Sequence, residues 1–165
     1  MVMPTEFRDA MSRLGAAVNV VTTNGLAGLG GFTASAVCSV TDSPPTLLVC
    51  MNQSSHQYDR FEANGVLCVN VLGAEQEHVS RLFSGQTRAS VEDRFAQTDY
   101  AYLETGSPVL PDSLVCFDCK IDRIEKVGTH GILFCQVVGI GNGSQAGGLL
   151  YFDRAYHRLT SVRPV

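Results

Sequence analysis

The feature that most constrains the fold of this chain is a succession of short strand-like segments separated by turns. Apolar or alternating runs recur along most of the sequence, and only short helix-like segments lie between them. Strands that follow one another without long crossover helices favour an antiparallel barrel or sandwich over alternating βαβ units. The strand-like runs are AAVNVVTT, GFTASAVCSV, TLLVCMN, VLCVNVL, SLVCFDCKIDRIEKVG, GILFCQVVGIG and GLLYFD. The helix-like runs are residues 4–14, residues 54–63, EQEHVSRLF and SVEDRFAQ.

Length and composition indicate one globular domain that spans residues 1–165. The chain has 165 residues, 45% of them hydrophobic, and no linker or internal repeat divides it. Its net charge is -4 and its Lys and Arg residues are scattered, so we expect no nucleic-acid partner. No apolar run approaches the ~20 residues that span a bilayer, and the N-terminus lacks signal-peptide character. We therefore expect a cytoplasmic protein without a membrane partner.

The six cysteines are expected to be free thiols, because a cytosolic chain with an ample core needs no disulfide framework. Cys116 and Cys119 have the two-residue gap of zinc and redox motifs. On a strand, however, that gap points the two sulfur atoms to opposite faces. We therefore predict packing roles for the cysteines and no metal site.

Two glycine-containing segments resemble nucleotide-binding motifs only superficially. The run GNGSQA at residues 141–146 fits G-x-G-x-x-A, but it is followed by a strand instead of opening a helix within a βαβ unit. The run GLAGLGG also fails, because its third position falls on Thr33. Both are predicted to be turns.

The segment GFTASAVCSVTDSPPTLLVCMN, residues 31–52, combines strand character with an unusual number of small and hydroxyl side chains. On one extended strand, the hydroxyls of Thr33, Ser35 and Ser39 would share a face. The small residues of this segment are Gly31, Ala34 and Ala36. They would let a flat aromatic ring approach the backbone and its polar groups. An edge strand with a solvated hydroxyl face explains the same pattern, and the residues alone leave both readings open.

The strand that ends this segment is followed by NQSSH, in which Asn52, Ser54 and Ser55 are predicted to cap the next helix. A helix N-terminus also attracts anions, because its free N–H groups carry partial positive charge. A phosphate at this corner and simple capping without a ligand are both compatible with the sequence.

Two further segments carry candidate functional side chains. His130 follows a Gly-Thr turn and opens a strand, where a histidine acts either in catalysis or as an ordinary hydrogen-bonding group. The C-terminal run YFDRAYHRL, residues 151–159, is either an aromatic wall of a site or a packed tail.

Taken in order, several motifs make the chain resemble the small flavin reductases that serve two-component monooxygenases. The resemblance covers residues 7–159 and is nearest to the reductases of the pyrimidine-utilisation and 4-hydroxyphenylacetate monooxygenases. The motifs are GFTASAVCSVTDSPPTLLVCMN, LCVNVL, RLFSG, DRF, GTH and YFDRAYH.

The resemblance implies a mainly β fold, a split β-barrel of the FMN-binding, Greek-key type with a few short helices. It also implies a homodimer that binds flavin across its interface. The implied activity is NAD(P)H-dependent reduction of FMN or FAD, which supplies reduced flavin by diffusion to a monooxygenase. No dedicated dinucleotide domain is present, so NADH or NADPH is expected to bind as a transient second substrate.

Residue roles also follow from the resemblance. Thr33 to Ala36 would line the isoalloxazine ring, Asn52 and Ser55 would hold the ribityl-phosphate end, and residues 83–85 would close on the flavin. His130 would place the nicotinamide, and Gln57 stands where the family commonly has Thr. The implied cofactor-binding residues are Thr33, Ala34, Ser35, Ala36, Asn52, Ser54, Ser55, Phe83, Ser84 and Gly85.

Three other functions stay open at this point. The first is a flavin-binding electron carrier on the same barrel that does not turn over NAD(P)H. The second is a split-barrel oxidase of a pyridoxal-type phosphate, against which the scarcity of basic residues between Gly25 and Tyr58 counts. The third is a structural or interaction domain. The sequence also leaves open FMN against FAD and NADH against NADPH, with Arg81, Arg88, Arg94 and Arg154 as candidates for a 2′-phosphate contact.

Overall fold

The computed structural model describes residues 1–143 and 147–160, and these form a mainly β fold with short helices, as expected. The helices are α1 (Pro4–Met11), α2 (Tyr58–Asn64), α3 (Glu77–Phe83) and α4 (Val91–Ala96). The strands are β1 (Ala16–Ala17), β2 (Asn19–Thr23), β3 (Gly30–Ala34), β4 (Val37–Asp42), β5 (Pro45–Asn52), β6 (Val66–Val71), β7 (Ala101–Tyr102), β8 (Pro108–Val109), β9 (Val115–Val127), β10 (His130–Asn142), β11 (Gly147–Phe152) and β12 (Ala155–Thr160).

The main sheet has seven antiparallel strands in the order β3-β2-β6-β9-β10-β5-β4. Its two edge strands, β3 and β4, are consecutive in the chain and joined by Ser35 and Ala36 alone. In a flat sheet the edges would lie about 29 Å apart, because neighbouring strands are separated by ~4.8 Å. The chain from Ala34 to Val37 spans at most ~11 Å. The sheet must therefore curl until its two edges meet, although no ladder joins β3 to β4 in the described residues.

A second sheet contains β1, β11 and β12, so the strand-like run GLLYFD is not part of the main sheet. No strand was predicted for residues 155–160, and these residues provide the partner strand of β11. A two-residue loop, Asp153-Arg154, joins the two strands, with φ of 47° and 62°. Such positive φ values suit the two-residue hairpin turn, but its usual Asn-Gly or Asp-Gly signal is missing here.

Two hydrophobic clusters fill the molecule. The first lies inside the curled sheet and includes Val49, Phe61, Leu67 and Leu133, with α2 supplying the aromatic ring. The second lies between the sheet and the other helices, where Phe83 of α3 meets Phe95 of α4 edge-to-face at 5.2 Å. In contrast, α1 buries none of its residues.

Buried polar groups hold the long loop 103–114 against the sheet. Asn70 lies at the centre of this contact: its Oδ1 accepts from Leu110 N at 2.8 Å, and its Nδ2 donates to Val20 O at 3.1 Å. The buried Asp118 carboxylate accepts from Thr105 N at 2.8 Å. Burying a polar group costs free energy unless it is paired in this way. The loop is thus held against the sheet as part of the domain.

All six cysteines are free thiols. Cys119 and Cys135 are buried, and burial raises the pKa of Cys135 to about 12, which makes it an unreactive packing residue. The described residues contain no group of three side chains that could hold a metal ion. None of their helices has the length and apolar character required to cross a membrane. The last three residues of the GNGSQA run lie outside the described residues.

One buried hydroxyl gives a stability prediction. The Oη atom of Tyr58 has no hydrogen-bond partner within the described residues, and it packs against Gly131, where an added Cβ would lie 2.3 Å away. Tyr58→Phe removes a desolvated polar group that gains nothing from the fold, so we expect the free energy of unfolding in urea to rise by about 1 kcal/mol.

The comparison variant is Tyr156→Phe. The Tyr156 hydroxyl lies 2.8 Å from Ser80 Oγ, which is itself buried. Its loss leaves Ser80 with one partner fewer and is expected to lower the free energy of unfolding by about 1 kcal/mol. This account of the Tyr58 hydroxyl would be contradicted if both variants changed the free energy of unfolding in the same direction, or if each changed it in the direction opposite to that expected.

Candidate functional site

The predicted hydroxyl face does not form, because residues 31–52 do not contain one continuous strand through Ser39. β3 ends at Ala34, and Ser35 and Ala36 form a bend before β4 joins the opposite edge of the sheet. Thr33 Oγ1 donates to Ser80 O at 2.6 Å and so fixes α3 against β3. Ser39 lies beyond the bend on β4.

Position 31 requires a glycine for a reason that the sequence alone did not reveal. A Cβ at this position would lie 2.8 Å from the ring of Phe83, so an aromatic side chain of the core, and not a ligand, occupies the space above the glycine. The Gln57 side chain also pairs with Gly31: its Oε1 accepts from Gly31 N at 2.7 Å and its Nε2 donates to Gly31 O at 2.9 Å. Both polar atoms of Gln57 therefore stabilise the edge strand β3.

A first cavity of about 570 Å³ opens beside the bend, between α3 and the β11–β12 hairpin. Four of the predicted residues line it: Thr33, Ala34, Ser35 and Ser84. The volume is in the range of small-molecule sites, about 300 to 1,000 Å³. Neither the N–H of Ser35 nor that of Ala36 donates a hydrogen bond within the described part of the chain. The bend therefore has two backbone donors without a partner, and one of them belongs to the cavity-lining residue Ser35.

Charged and aromatic groups form the walls of the first cavity. The Arg81 guanidinium is 2.8 Å from Glu77 Oε1 and 5.0 Å from the ring centre of Tyr156. Its hydrogen bond to Glu77 raises the pKa of Arg81 above its usual value, so the guanidinium stays charged. Tyr151 and Tyr156 meet edge-to-face at 5.3 Å on the opposite wall.

The sequence provided only partial signals for these wall residues: Arg81 was a candidate for a 2′-phosphate contact, and Glu77 was not predicted. The C-terminal run was left between an aromatic wall and a packed tail, and the structure places Tyr151 and Tyr156 at the cavity. The available signal for a hairpin is weak and consists of the apolar run at residues 149–152 and the second run at residues 155–160, on either side of Asp153-Arg154. Recognition of that hairpin would have placed both tyrosines on one surface.

A second cavity, of about 830 Å³, contains other predicted residues. Asn52, Ser54 and His130 line it together with Arg8 of α1. His130 lies opposite Asn52 in the β5–β10 ladder, and its Nδ1 is 2.9 Å from Thr129 Oγ1. Register thus brings the candidate catalytic histidine and the candidate phosphate segment together.

The predicted helix capping by this segment is wrong. α2 begins only at Tyr58, its N-cap residue is Gln57, and no side chain caps it. Instead, Asn52 Oδ1 accepts from both the N and the Oγ of Ser54 at 2.9 Å, which closes a local turn. Asn52 and Ser54 face the second cavity from this turn, and the α2 N-terminus is not part of the site.

A bridging cavity of about 610 Å³ connects the other two beneath α1. It shares Ser35, Tyr151 and Arg154 with the first cavity and Arg8 with the second. The three neighbouring cavities are together called the cleft, which extends from Ser84 to His130.

Four predicted residues do not line the cleft: Ala36, Ser55, Phe83 and Gly85. The Phe83 side chain is buried in the second hydrophobic cluster and does not reach the cleft. Phe83 is connected to the cleft only through its backbone, which precedes the cleft residue Ser84. Gly85 has a φ of 78° and ends the α3 segment, and Ser55 Oγ accepts weakly from Gln57 N at 3.4 Å. Ala36 O accepts from Cys50 N at 3.0 Å, which anchors the bend to β5.

Known proteins are similar to this chain over nearly its whole length. Residues 11–160 match the family model described as a flavin reductase like domain. The chain is 55% identical over 154 residues to the FMN reductase (NADH) RutF of Serratia proteamaculans, covering 93% of this chain and 87% of that protein. It is 52% identical over 161 residues to the protein of the same name from Variovorax paradoxus, covering 97% and 88%.

A solved structure shows the same fold. The NADH:FAD oxidoreductase SgcE6 of Streptomyces globisporus, in complex with NAD and FAD fragments, superposes with a TM-score of 0.88 at 26% identity. The alignment covers 99% of each chain. The family model spans most of the sequence and the curated relatives are similar over nearly its whole length. This chain therefore belongs to the family of flavin reductase-like domains.

Proposed function

We propose that this protein is a flavin reductase, which uses NADH or NADPH to reduce FMN or FAD and supplies the reduced flavin to a monooxygenase. The observation that carries this proposal is the cleft, whose first cavity opens at the bend Ser35-Ala36 and is lined by Ser35, a residue whose backbone N–H has no partner within the described residues. The names of the curated relatives support FMN and NADH as the substrates. FMN is therefore the first candidate for the flavin substrate, and FAD is the second.

The residues at the bend fit a flavin ring. Backbone N–H groups suit the polar edge of the ring, because they donate to its nitrogen and oxygen atoms without adding side-chain bulk. Thr33 and Ala34 provide a small surface on one side, and Tyr151 and Tyr156 provide aromatic faces on the other. Ser84 reaches the same cavity from the end of α3.

The opposite end of the cleft suits phosphate and nicotinamide groups. Asn52 and Ser54 present amide and hydroxyl groups to the second cavity, and Arg8 adds a positive charge. Gln57 does not take the phosphate-binding place of the family's Thr, because its amide is paired with Gly31. Ser55 is adjacent to this segment and completes the proposed ribityl-phosphate site. Phe83 and Gly85 shape the segment that carries Ser84.

His130 is proposed to orient the nicotinamide. When bound, the flavin accepts a hydride from C4 of NADH at its N5 and a proton from solvent, which yields reduced flavin and NAD⁺. The protein's part is to hold the two rings in contact and to exclude water, and no nucleophilic side chain is needed. His130 can donate a hydrogen bond from the strand end beside Asn52, while Thr129 Oγ1 fixes its ring.

The main sheet is proposed to be a split β-barrel. Its edges are joined by two residues, and β3 contacts β5, which is the neighbour of the other edge strand. A sheet that has curled this far lacks only the β3–β4 ladder of a closed barrel. Residues 1–165 are proposed to form this single domain.

The outer face of β4, β5, β9 and β10 is the proposed homodimer interface. Leu48, Phe134 and Arg123 form one cross-strand row, and Ile132 lies in the next. The Arg123 guanidinium lies 3.9 Å from the ring centre of Phe134. These apolar residues are half-buried, and α2 and α3 pack on β2, β3 and β6 instead. A self-complementary apolar row of this kind suits a two-fold interface between identical chains.

Reduced flavin is proposed to leave the cleft and diffuse to the partner oxygenase in the cytoplasm. The cleft is open to solvent along its length, since its charged residues Arg81 and Arg154 are more than half exposed. The alternative, a flavin-binding electron carrier, would instead keep its flavin bound and turn over no nicotinamide.

The first test is steady-state oxidation of NADH and NADPH, with FMN, FAD or riboflavin added to the purified protein. A flavin reductase shows turnover that saturates with added flavin, with a kcat on the order of 1 to 1,000 s⁻¹. Protein that retains flavin but oxidises neither nicotinamide favours the electron carrier. Protein that binds no flavin removes both candidate functions.

The role of His130 is tested by His130→Ala. We expect kcat/KM for NADH to fall roughly tenfold, because a positioning hydrogen bond is lost, while the Kd for flavin from fluorescence titration stays unchanged. His78→Ala is the control, since His78 is an exposed residue of α3 outside the cleft. Loss of flavin binding, with hydride transfer intact at saturating flavin, would assign His130 to the flavin instead.

The interface is tested by Phe134→Glu, with the molar mass measured by light scattering after size-exclusion chromatography. The new carboxylate can pair with Arg123 in a single chain but places like charges across the two-fold interface, so we expect a monomer. Leu26→Glu is the control, because Leu26 is fully exposed in the loop between β2 and β3. A dimeric Phe134→Glu variant or a monomeric wild-type protein would contradict this interface.

A further inference from the structure

We propose that Arg154 is a phosphate-binding residue of the cleft and that Asp9 of α1 occupies its guanidinium until substrate arrives. This inference rests on the proposed function and identifies the residue that recognises the phosphate groups of the substrates. The shared chemistry is a phosphate ester or diphosphate, which belongs either to the flavin or to the nicotinamide dinucleotide.

The position of Arg154 in the cleft supports a role in phosphate binding. It lines both the first cavity and the bridging cavity, so its guanidinium lies at the middle of the cleft. It is also the second residue of the β11–β12 turn, with a φ of 62°. A non-glycine residue in this left-handed region costs conformational energy, and such residues concentrate at ligand-binding sites. Asn is better suited to this backbone, so the turn alone does not require Arg.

The partner of Arg154 is the second argument. Its Nη2 pairs with Oδ1 of Asp9, so a carboxylate of α1 already occupies an anion position at the cleft. The pair is exposed, with side-chain accessibilities of 57% for Arg154 and 68% for Asp9. Exposed ion pairs contribute little to stability, and a phosphate carries more charge and more acceptor oxygens than a carboxylate. A substrate phosphate can therefore replace Asp9 at low cost.

The weak attachment of α1 is the third argument. The helix buries no residue, and its link to the hairpin consists of the Asp9–Arg154 pair and a hydrogen bond from Asp153 N to Ser12 O at 2.7 Å. An element with few buried contacts opens at little free-energy cost. Because α1 also supplies Arg8 to two of the three cavities, release of Asp9 lets the helix adjust over a bound substrate.

The same hairpin provides a matched control. Arg158 of β12 pairs with Glu75 at 2.9 Å, with side-chain accessibilities of 53% and 68%. This pair has nearly the same exposure as the Arg154–Asp9 pair, but Arg158 does not line the cleft. If substitution of Arg154 weakens ligand binding only because the net charge changes, substitution of Arg158 should weaken it equally.

The experiment compares ligands with and without phosphate in the full-length protein. The Arg154→Asn variant removes the guanidinium while retaining a residue that tolerates the positive φ, and Arg158→Gln is its control. Fluorescence titration gives the Kd for FMN and for riboflavin, which lacks the phosphate, and calorimetry gives the Kd for ADP-ribose. Loss of one charge-assisted hydrogen bond should weaken binding about tenfold.

Two results support the proposal and identify the ligand. If Arg154→Asn weakens FMN but not riboflavin, the residue binds the flavin phosphate; if it weakens ADP-ribose alone, it binds the dinucleotide. Arg154→Lys should restore part of the affinity, because it keeps the charge. Equal losses for FMN and riboflavin with no loss for ADP-ribose, no loss for any ligand, or the same loss in Arg158→Gln would overturn it.

A separate pair of variants tests whether Asp9 competes with the substrate phosphate for Arg154. Asp9→Asn removes the competing carboxylate and should tighten binding of the phosphate-bearing ligand severalfold, whereas the control Glu75→Gln should not. Weaker binding in Asp9→Asn would overturn the competition. Turnover of NADH with FMN by the wild-type protein is measured in parallel: an inactive wild type contradicts the proposed function, while an active enzyme with no phosphate-selective loss in Arg154→Asn contradicts only this inference.

Discussion

The two-residue link between β3 and β4 is the constraint on which the rest of the structure depends. Because Ser35 and Ala36 must connect opposite edges of one seven-stranded sheet, the sheet curls and encloses the first hydrophobic cluster. The same link forces a bend in which two backbone N–H groups have no strand partner. The cleft opens at this bend, so the condition that closes the core also exposes the polar backbone beside it.

Core packing then places the walls of the cleft. Phe83 fills the space above Gly31, and the hydroxyl of Thr33 holds Ser80 O, so α3 is fixed against β3 at two points. With the helix held there, Arg81 projects towards the ring of Tyr156 on the neighbouring hairpin. The hydrogen bond between Tyr156 and Ser80 ties hairpin and helix together. A substitution at Gly31 would therefore displace the cleft wall even though the glycine does not line the cleft.

The sequence predicted the strands and helices well, since period-two and apolar runs report directly on burial. It failed where pairing is non-local: nothing in residues 31–39 reveals that Ala34 and Val37 belong to opposite sheet edges. Asp153-Arg154 lacks the usual turn signal, so β12 and its tyrosine were overlooked. The family resemblance pointed to seven residues that the structure places along the cleft: Thr33 to Ser35, Ser84, Asn52, Ser54 and His130. Residues that reach the cleft only through tertiary packing, such as Glu77 and Arg8, had no sequence signature.

The charge of the cleft differs from that of the whole molecule, and this difference bears on release as well as binding. The chain has a net charge of -4, yet Arg8, Arg81 and Arg154 all line the cleft. Two of these cations are paired, with Glu77 and Asp9, so the local field is positive but partly compensated. Under the proposed function, these cations attract anionic substrates and the adjacent carboxylates limit how tightly the substrates bind. A reductase that passes reduced flavin to another protein needs both properties, because flavin held too tightly would never leave the cleft.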